Sequence, residues 1–324
     1  MGLKSVVDDL WETAIAPSTK HAYDTGFNTF IRFLLMAGII NSVNLADMNV
    51  TENILIYFVA HCHNINLAYS TIKLYLCGIR FMCLKNDIPY PNNTNLCRMH
   101  AVLGGVKRTR RKVNRPRYPI TFNILRDTCK YLRKNMNSFE DLMLETVCIV
   151  AFFAFLRCGE FTVNKQFDHN INLCFNDLII ANEHVLLNLK KSKTDPFREG
   201  VTLKLFKNGS EICPYVACCK YMAARQCQNP APDDPLFVIA SGQALTRTVF
   251  IARFRHVLEC LGINSDCYNG HSFRIGAATT SSLVYLPDHL IKVLGRWSSD
   301  AYCRYIRTPN SSIREAQIAL TSTG

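Results

Sequence analysis

The chain has 324 residues, long enough for two domains with separate cores, and 48% of them are hydrophobic, which excludes a disordered chain. Lys and Arg outnumber Asp and Glu by 37 to 25, a formal charge of +12 that favours a polyanionic partner. The start, Met1-Gly2-Leu3-Lys4-Ser5, lacks the apolar core of a signal peptide, so the fifteen cysteines are expected to be reduced thiols in an intracellular, soluble protein.

The first hundred residues read as helical. Ser18-Thr19 precedes Tyr23, Phe27, Phe30, Ile31 and Leu34 at helical spacing, with Gly38 as a stop. Thr51 is placed to cap a second helix carrying Ile54, Leu55, Phe58 and Val59. Ser70-Thr71 begins a third, with Ile72, Leu74, Tyr75, Ile79, Phe81 and Met82, and Pro89 and Pro91 end that region. The economical arrangement is a four-helix bundle over 1–105.

Residues 106–117 follow, with Lys107, Arg108, Arg110, Arg111, Lys112, Arg115 and Arg117 and no acidic residue. Such a run reads as a linker that touches phosphates, a nuclear localisation signal, or both.

From 118 to 324 the pattern is mixed. Pro119-Ile120-Thr121 opens a helix through Leu132, and Leu142 to Arg157 is a second, strongly apolar one. Its longest unbroken apolar run, Val147 to Leu156, is about half the length a membrane span requires. Strands are predicted at 176–181, 185–189 and 200–205. The last two flank the lysine-rich turn region Lys190-Lys191-Ser192-Lys193-Thr194. Helices return at 214–226, 246–261, 272–285 and 288–294, and 313–320 spaces its apolar residues like one face of a short helix. The class is mainly α with a small antiparallel sheet.

Within this second region lies a set of residues suited to attack on a phosphodiester. Arg157 sits in Phe-Leu-Arg-Cys-Gly-Glu, with Glu160 three residues on and able to orient it. His271 and Arg274 form H-x-x-R at a helix start. Arg296-Trp297 and Tyr305 follow, with Tyr302 nearby. Arginine carries the extra charge of a phosphoryl transition state because its planar fork donates two hydrogen bonds and keeps its proton. Histidine exchanges a proton near neutral pH. A phenol, with a pKa near ~10, needs a base or a positive field to become a nucleophile. Lys193 is the best-placed acid for the departing oxygen, with Lys191 and Lys190 as alternatives. Cys213, Cys218, Cys219 and Cys227 lack paired C-x-x-C spacing, so no metal site is expected.

The ordered set Arg157, Lys193, His271, Arg274, Trp297, Tyr305 resembles that of the tyrosine recombinase (phage integrase) family, over nearly the whole chain. Leu-Gly-Arg-Trp and Tyr-Ile-Arg resemble the recombinases of eukaryotic DIRS and Crypton mobile elements. The resemblance implies a helical, SAM-like core-binding domain, a basic linker and a mixed α/β catalytic domain. It also implies double-stranded DNA as partner, a 3′-phosphotyrosine on Tyr305, no cofactor, and a homotetramer on DNA in which 313–320 docks on a neighbour. A nuclear location and integration of a mobile element accord with it. The family places its His or Trp nine residues before the tyrosine, where this chain has Arg296, whereas Trp297 is eight before. The slot therefore falls to one or the other. Rival expectations are a catalytically silent DNA-binding descendant, a type IB topoisomerase that relaxes DNA, and an unrelated scaffold with a basic surface.

Overall fold

The computed structural model describes residues 2–42, 48–109, 117–134, 138–191 and 199–321. The chain divides into two compact units, 1–114 and 115–324.

The described regular elements of the first unit are all helices. α1 (Leu3–Thr13) leads into α2 (Pro17–Met36), followed by α3 (Glu52–Asn64), α4 (Tyr69–Lys85) and α5 (Cys97–Thr109). α2 starts at Pro17, ahead of the Ser18-Thr19 pair. Proline needs no N–H partner at a first helical position, and its fixed φ sets the start. Thr51 does cap α3, accepting from the Ile54 amide. Phe30, Leu34, Leu55, Phe58, Val59, Ile72 and Ile79 meet in one apolar core, with Phe30 edge-on to Phe58.

Two features differ from the sequence expectation. α1 is an additional helix, held by its polar rim: Glu12 pairs with Lys20 and Lys85, and Trp11 packs edge-on against Phe81. α5 runs on through Thr109, so the basic stretch begins inside a helix. Val106 is buried in the core, which fixes Lys107 and Arg108 on the final turn.

The second unit is built around α7 (Phe139–Phe153), in which every residue from Met143 to Phe152 is buried. Ser138 caps it by accepting from the Asp141 amide. α6 (Phe122–Lys134) precedes it, and the four-residue helix α8 (Cys158–Phe161) follows. A three-stranded antiparallel sheet comes next: β1 (Leu178–Ile180), β2 (His184–Leu189) and β3 (Val201–Phe206), with Leu178 opposite Leu187 and Leu189 opposite Val201. β2 is central and alternates, burying Val185, Leu187 and Leu189. The remaining helices are α9 (Pro214–Gln226), α10 (Arg247–Cys260), α11 (Ser272–Leu283), α12 (Asp288–Gly295) and α13 (Asn310–Leu320).

The small residues of α11 have a packing reason. A Cβ on Gly276 would lie 1.7 Å from the Ile120 carbonyl oxygen. Only glycine lets α11 press onto the strand-like segment leading into α6, where the Ile120 amide donates to the Ser272 carbonyl at 2.9 Å.

Candidate functional site

Arg157 is not the end of the long apolar helix. α7 stops at Phe153, and Phe155 takes a left-handed conformation with φ of 50°. For a residue with a bulky side chain that costs about 1–2 kcal/mol. What the turn gains is the direction of one carbonyl. Phe155 O accepts from Arg274 Nη1 at 2.6 Å and from Arg296 Nη2 at 3.3 Å. Arg157 then becomes the N-cap of α8.

Glu160 ties the turn together. Its carboxylate accepts from the Arg157 amide at 2.8 Å, from Arg157 Nη1 at 3.0 Å and from Arg296 Nη2 at 2.9 Å. Its side chain is only 4% exposed, so this ion pair sits largely out of water. Removing one partner of such a group strands the others, at a cost of about 3–5 kcal/mol.

Arg274 lies in the first turn of α11 and is fully buried. Besides Phe155 O, its guanidinium donates to Gly295 O. Its flat face lies under the Trp297 ring, Cζ to centroid 4.3 Å, and 5.9 Å from the Tyr305 ring centroid. Trp297 and Tyr305 are 5.3 Å apart, centroid to centroid. Trp297 reaches this position because Gly295 has no side chain: a Cβ there would be 1.6 Å from the indole. Arg296, left-handed at φ 54°, turns the chain between them. Burial first, then the charges of Arg157 and Arg296, pull the Arg274 pKa down to about 9, still protonated at neutral pH.

His271 is the N-cap residue of α11, its amide held by the Asn269 side chain at 2.9 Å. Burial, followed by the charges of Arg117, Arg247, Arg157 and Arg274, pushes its pKa below 6.5, so the imidazole is neutral at pH 7. A neutral ring is able to accept a proton.

Tyr305 ends the 3-10 turn Asp300–Arg304. Thr279 of α11 fixes that segment, donating its hydroxyl to Tyr305 O at 3.2 Å and accepting the Arg307 amide at 3.1 Å. Tyr302 differs from Tyr305. It is buried, and its hydrogen bond to Asp288, with burial next, raises its pKa well above the usual range. Of the two tyrosines, it is Tyr305 whose ring meets a guanidinium.

The fold has solved counterparts. No protein-family model and no curated protein matches the sequence. Solved structures do. The XerH site-specific recombinase bound to palindromic difH substrate in a post-cleavage complex aligns at TM-score 0.63 and 16% identity, over 92% of this chain and 78% of that one. The Tn1549 transposon integrase in complex with transposon right end DNA gives 0.57 and 14%, over 94% and 99%. A lambda integrase dimer bound to a COC′ core site gives 0.56 and 13%, over 95% and 77%. The chain has the tyrosine recombinase fold.

Within that fold the structure brings together Arg157, Glu160, His271, Arg274, Arg296, Trp297 and Tyr305. Lys193 lies outside the described residues. Lys190 is committed elsewhere: its ammonium contacts Asp177 Oδ2 and the His169 carbonyl, each at 2.8 Å, and Cys174 Sγ at 3.0 Å. Burial opposes its charge, but the Asp177 and Cys174 hydrogen bonds outweigh it and raise its pKa, so Lys190 is a structural cation. Lys191 is exposed at the end of β2.

Of the basic stretch, Arg110, Arg111, Lys112 and Arg115 also lie outside the described residues, and Arg117 is exposed. Lys107 and Arg108 line a cleft beside α4 and α5 together with Lys73, Arg80 and His100, and no described residue lining it is a carboxylate. No described group of three His, Cys, Asp or Glu residues is arranged to hold a metal ion. No described helix is long and apolar enough to cross a membrane.

Three contributors had no sequence signal strong enough to find them. The Phe155 and Gly295 carbonyls act through backbone that only the fold directs. Arg247 is the first residue of α10 and looks, in sequence, like any arginine after a capping threonine.

Proposed function

We propose that this chain is a site-specific DNA recombinase or integrase that cleaves and rejoins DNA through a covalent bond to Tyr305. One observation carries the reading. The Tyr305 ring lies against a buried, protonated guanidinium, and the turn that anchors this guanidinium presents a second one, Arg157. That is the charge arrangement a phenol needs to become a nucleophile toward a phosphate.

The step balances without a cofactor. The Tyr305 oxygen attacks the scissile phosphorus, and its proton passes to neutral His271. The bond from phosphorus to the 5′ oxygen breaks, leaving a 3′-phosphotyrosine. The departing oxygen takes a proton from a lysine of the turn region, Lys193 by its place in the sequence, and leaves as a 5′-hydroxyl. A 5′-hydroxyl from a partner strand reverses each transfer. Arg157 and Arg274 stabilise the charge on the non-bridging oxygens. Arg274 is covered by Trp297 and Tyr305, so phosphate entry moves the Tyr305 ring aside. Trp297 stacks on Arg274, a contact worth about 0.5–2 kcal/mol, and Arg296 braces Glu160.

The cleft lined by Lys73, Arg80, His100, Lys107 and Arg108 gives the N-terminal unit a cationic surface for the same duplex. The exposed apolar side chains of α13, Ile313, Ile318 and Leu320, suit a contact with a neighbouring subunit in a tetramer. Movement of a mobile element in a nucleus is the biological setting that fits.

The test is covalent trapping. Full-length protein is incubated with nicked duplexes that carry the DNA flanking its own gene, and adducts are resolved on denaturing gels. Wild type gives a protein–DNA adduct and Tyr305→Phe gives none, while both bind. Binding without any adduct in wild type points instead to a silent DNA-binding descendant. Relaxation of any supercoiled plasmid, regardless of sequence, points to a topoisomerase.

A further inference from the structure

We infer that Arg247 is a DNA-backbone contact, taking a phosphate that adjoins the one bound at Arg157 and Arg274. The inference rests on the strand-transfer reading and adds a residue that no motif marks.

Position comes first. Thr246 caps α10, accepting the Val249 amide at 3.3 Å. Thr246 also pairs with Val163 in a short parallel bridge: the Val163 amide donates to Leu245 O and the Arg247 amide to Val163 O, each at 3.0 Å. Val163 follows α8 by two residues, so the start of α10 is stitched to the segment that carries Arg157 and Glu160. The Arg247 guanidinium then lies along the Gly270 backbone, 3.5 Å from the point a Cβ would occupy there. Gly270 precedes His271 and rests against the side chain of Cys158, the neighbour of Arg157. One patch of backbone therefore gathers Arg157, His271 and Arg247.

Charge comes second. Arg117, Arg157, Arg247 and Arg274 all act on His271, and Arg296 acts on Arg274. Among the described groups that act on His271 or Arg274 beside these five guanidiniums, Glu160 is the one carboxylate, and it is already shared by Arg157 and Arg296. Arg247 is exposed and has no ion-pair partner among the described residues. A single phosphodiester carries one negative charge and leaves most of this field uncompensated. Successive phosphates along a strand, one every ~3.4 Å of helix axis, match it. An exposed, unpaired arginine rigidly mounted at the edge of such a field is a binding group rather than a packing one.

The experiment measures binding of the full-length protein to a fluorescein-labelled mixed-sequence duplex across a series of KCl concentrations, and needs no cleavage. Arg247→Gln is expected to reduce the slope of log affinity against log salt by about 0.9 and to weaken binding roughly 5–10-fold near 0.15 M salt. Arg247→Lys, which keeps the charge, is expected to retain most of the slope. Lys130→Gln makes the same charge change on an exposed face of α6 and is expected to leave the slope alone. An unchanged slope in Arg247→Gln, or an equal loss in Lys130→Gln, overturns the inference. Covalent adduct in wild type with an unaltered Arg247→Gln slope sinks this inference alone. A flattened slope without adduct sinks only the strand-transfer reading, and no duplex binding at low salt sinks both.

Discussion

The two units invest their interiors differently. In residues 1–114 the described core is wholly apolar, and charge stays on the rim or in the cleft beside α4 and α5. Every described polar or charged residue that is buried, from Thr128 to Ser281, belongs to residues 115–324, with Arg274 the largest fully buried side chain. A buried cation is costly unless hydrogen bonds replace its water. The second unit meets that cost with two backbone carbonyls, a strained turn at Phe155 and a missing side chain at Gly295. The lesson is that the first unit is organised for stability and surface charge, and the second accepts strain in order to hold a reactive cluster.

This contrast is open to attack by mutation. The largest effect is expected for Arg274→Met. It strands the Gly295 carbonyl, leaves Phe155 O only its longer bond from Arg296, and removes the charge beneath Tyr305. Adduct formation should fall by roughly 10²–10³-fold or more, and stability by about 3–5 kcal/mol in urea melts. In the other unit Phe58→Ala should cost a similar ~3–5 kcal/mol by opening a cavity. Its adduct yield per folded molecule, measured below its melting temperature, should stay within about twofold of wild type. If Phe58→Ala alone silenced the reaction, or Arg274→Met left it intact, the division of labour would be wrong.

The pH dependence is the next effect in size. His271 has a folded pKa below 6.5, set first by burial and then by four arginines. The unfolded chain therefore binds the proton more readily, and stability from this group is present above pH 6.5 and lost as pH falls through the lowered folded value. Thermal melts between pH 7.5 and 5 should show this loss, and His271→Gln should flatten it. Adduct formation should decline over the same window as the base is protonated. Arg247→Gln removes one of the four cations, so it should move the His271 resonance in an NMR titration toward higher pKa. The smallest effect is expected for Thr51→Ala, about 1 kcal/mol from a lost helix cap, with no change in the pH profile.

Much of the fold was legible because its signals are local. Pro214 sets the first turn of α9, and the 214–226 helix is found at those bounds. Thr51 caps α3 as its position suggests. The alternation Val185, Leu187, Leu189 marks a strand with one buried face. The misreadings are equally instructive. α7 was expected to run to Arg157, because a left-handed phenylalanine has no compositional signature. α5 absorbs the start of the basic stretch, since helix propagation through Thr109 depends on Val106 finding a core. The pairing of the Lys190 ammonium with Asp177, thirteen residues back in sequence and on a different element, has no local signature either.

The sequence by itself determined the helical and strand periodicities, the basic surplus and the roll of chemically able residues from Arg157 to Tyr305, because spacing and side-chain type are properties of the chain. Only the tertiary structure decided which of them meet. Trp297 rather than Arg296 covers Arg274, Tyr305 rather than Tyr302 faces a guanidinium, and Arg247 stands beside His271. Those outcomes depend on backbone carbonyl directions and on where side chains are absent, and both are settled by long-range packing that no local pattern encodes.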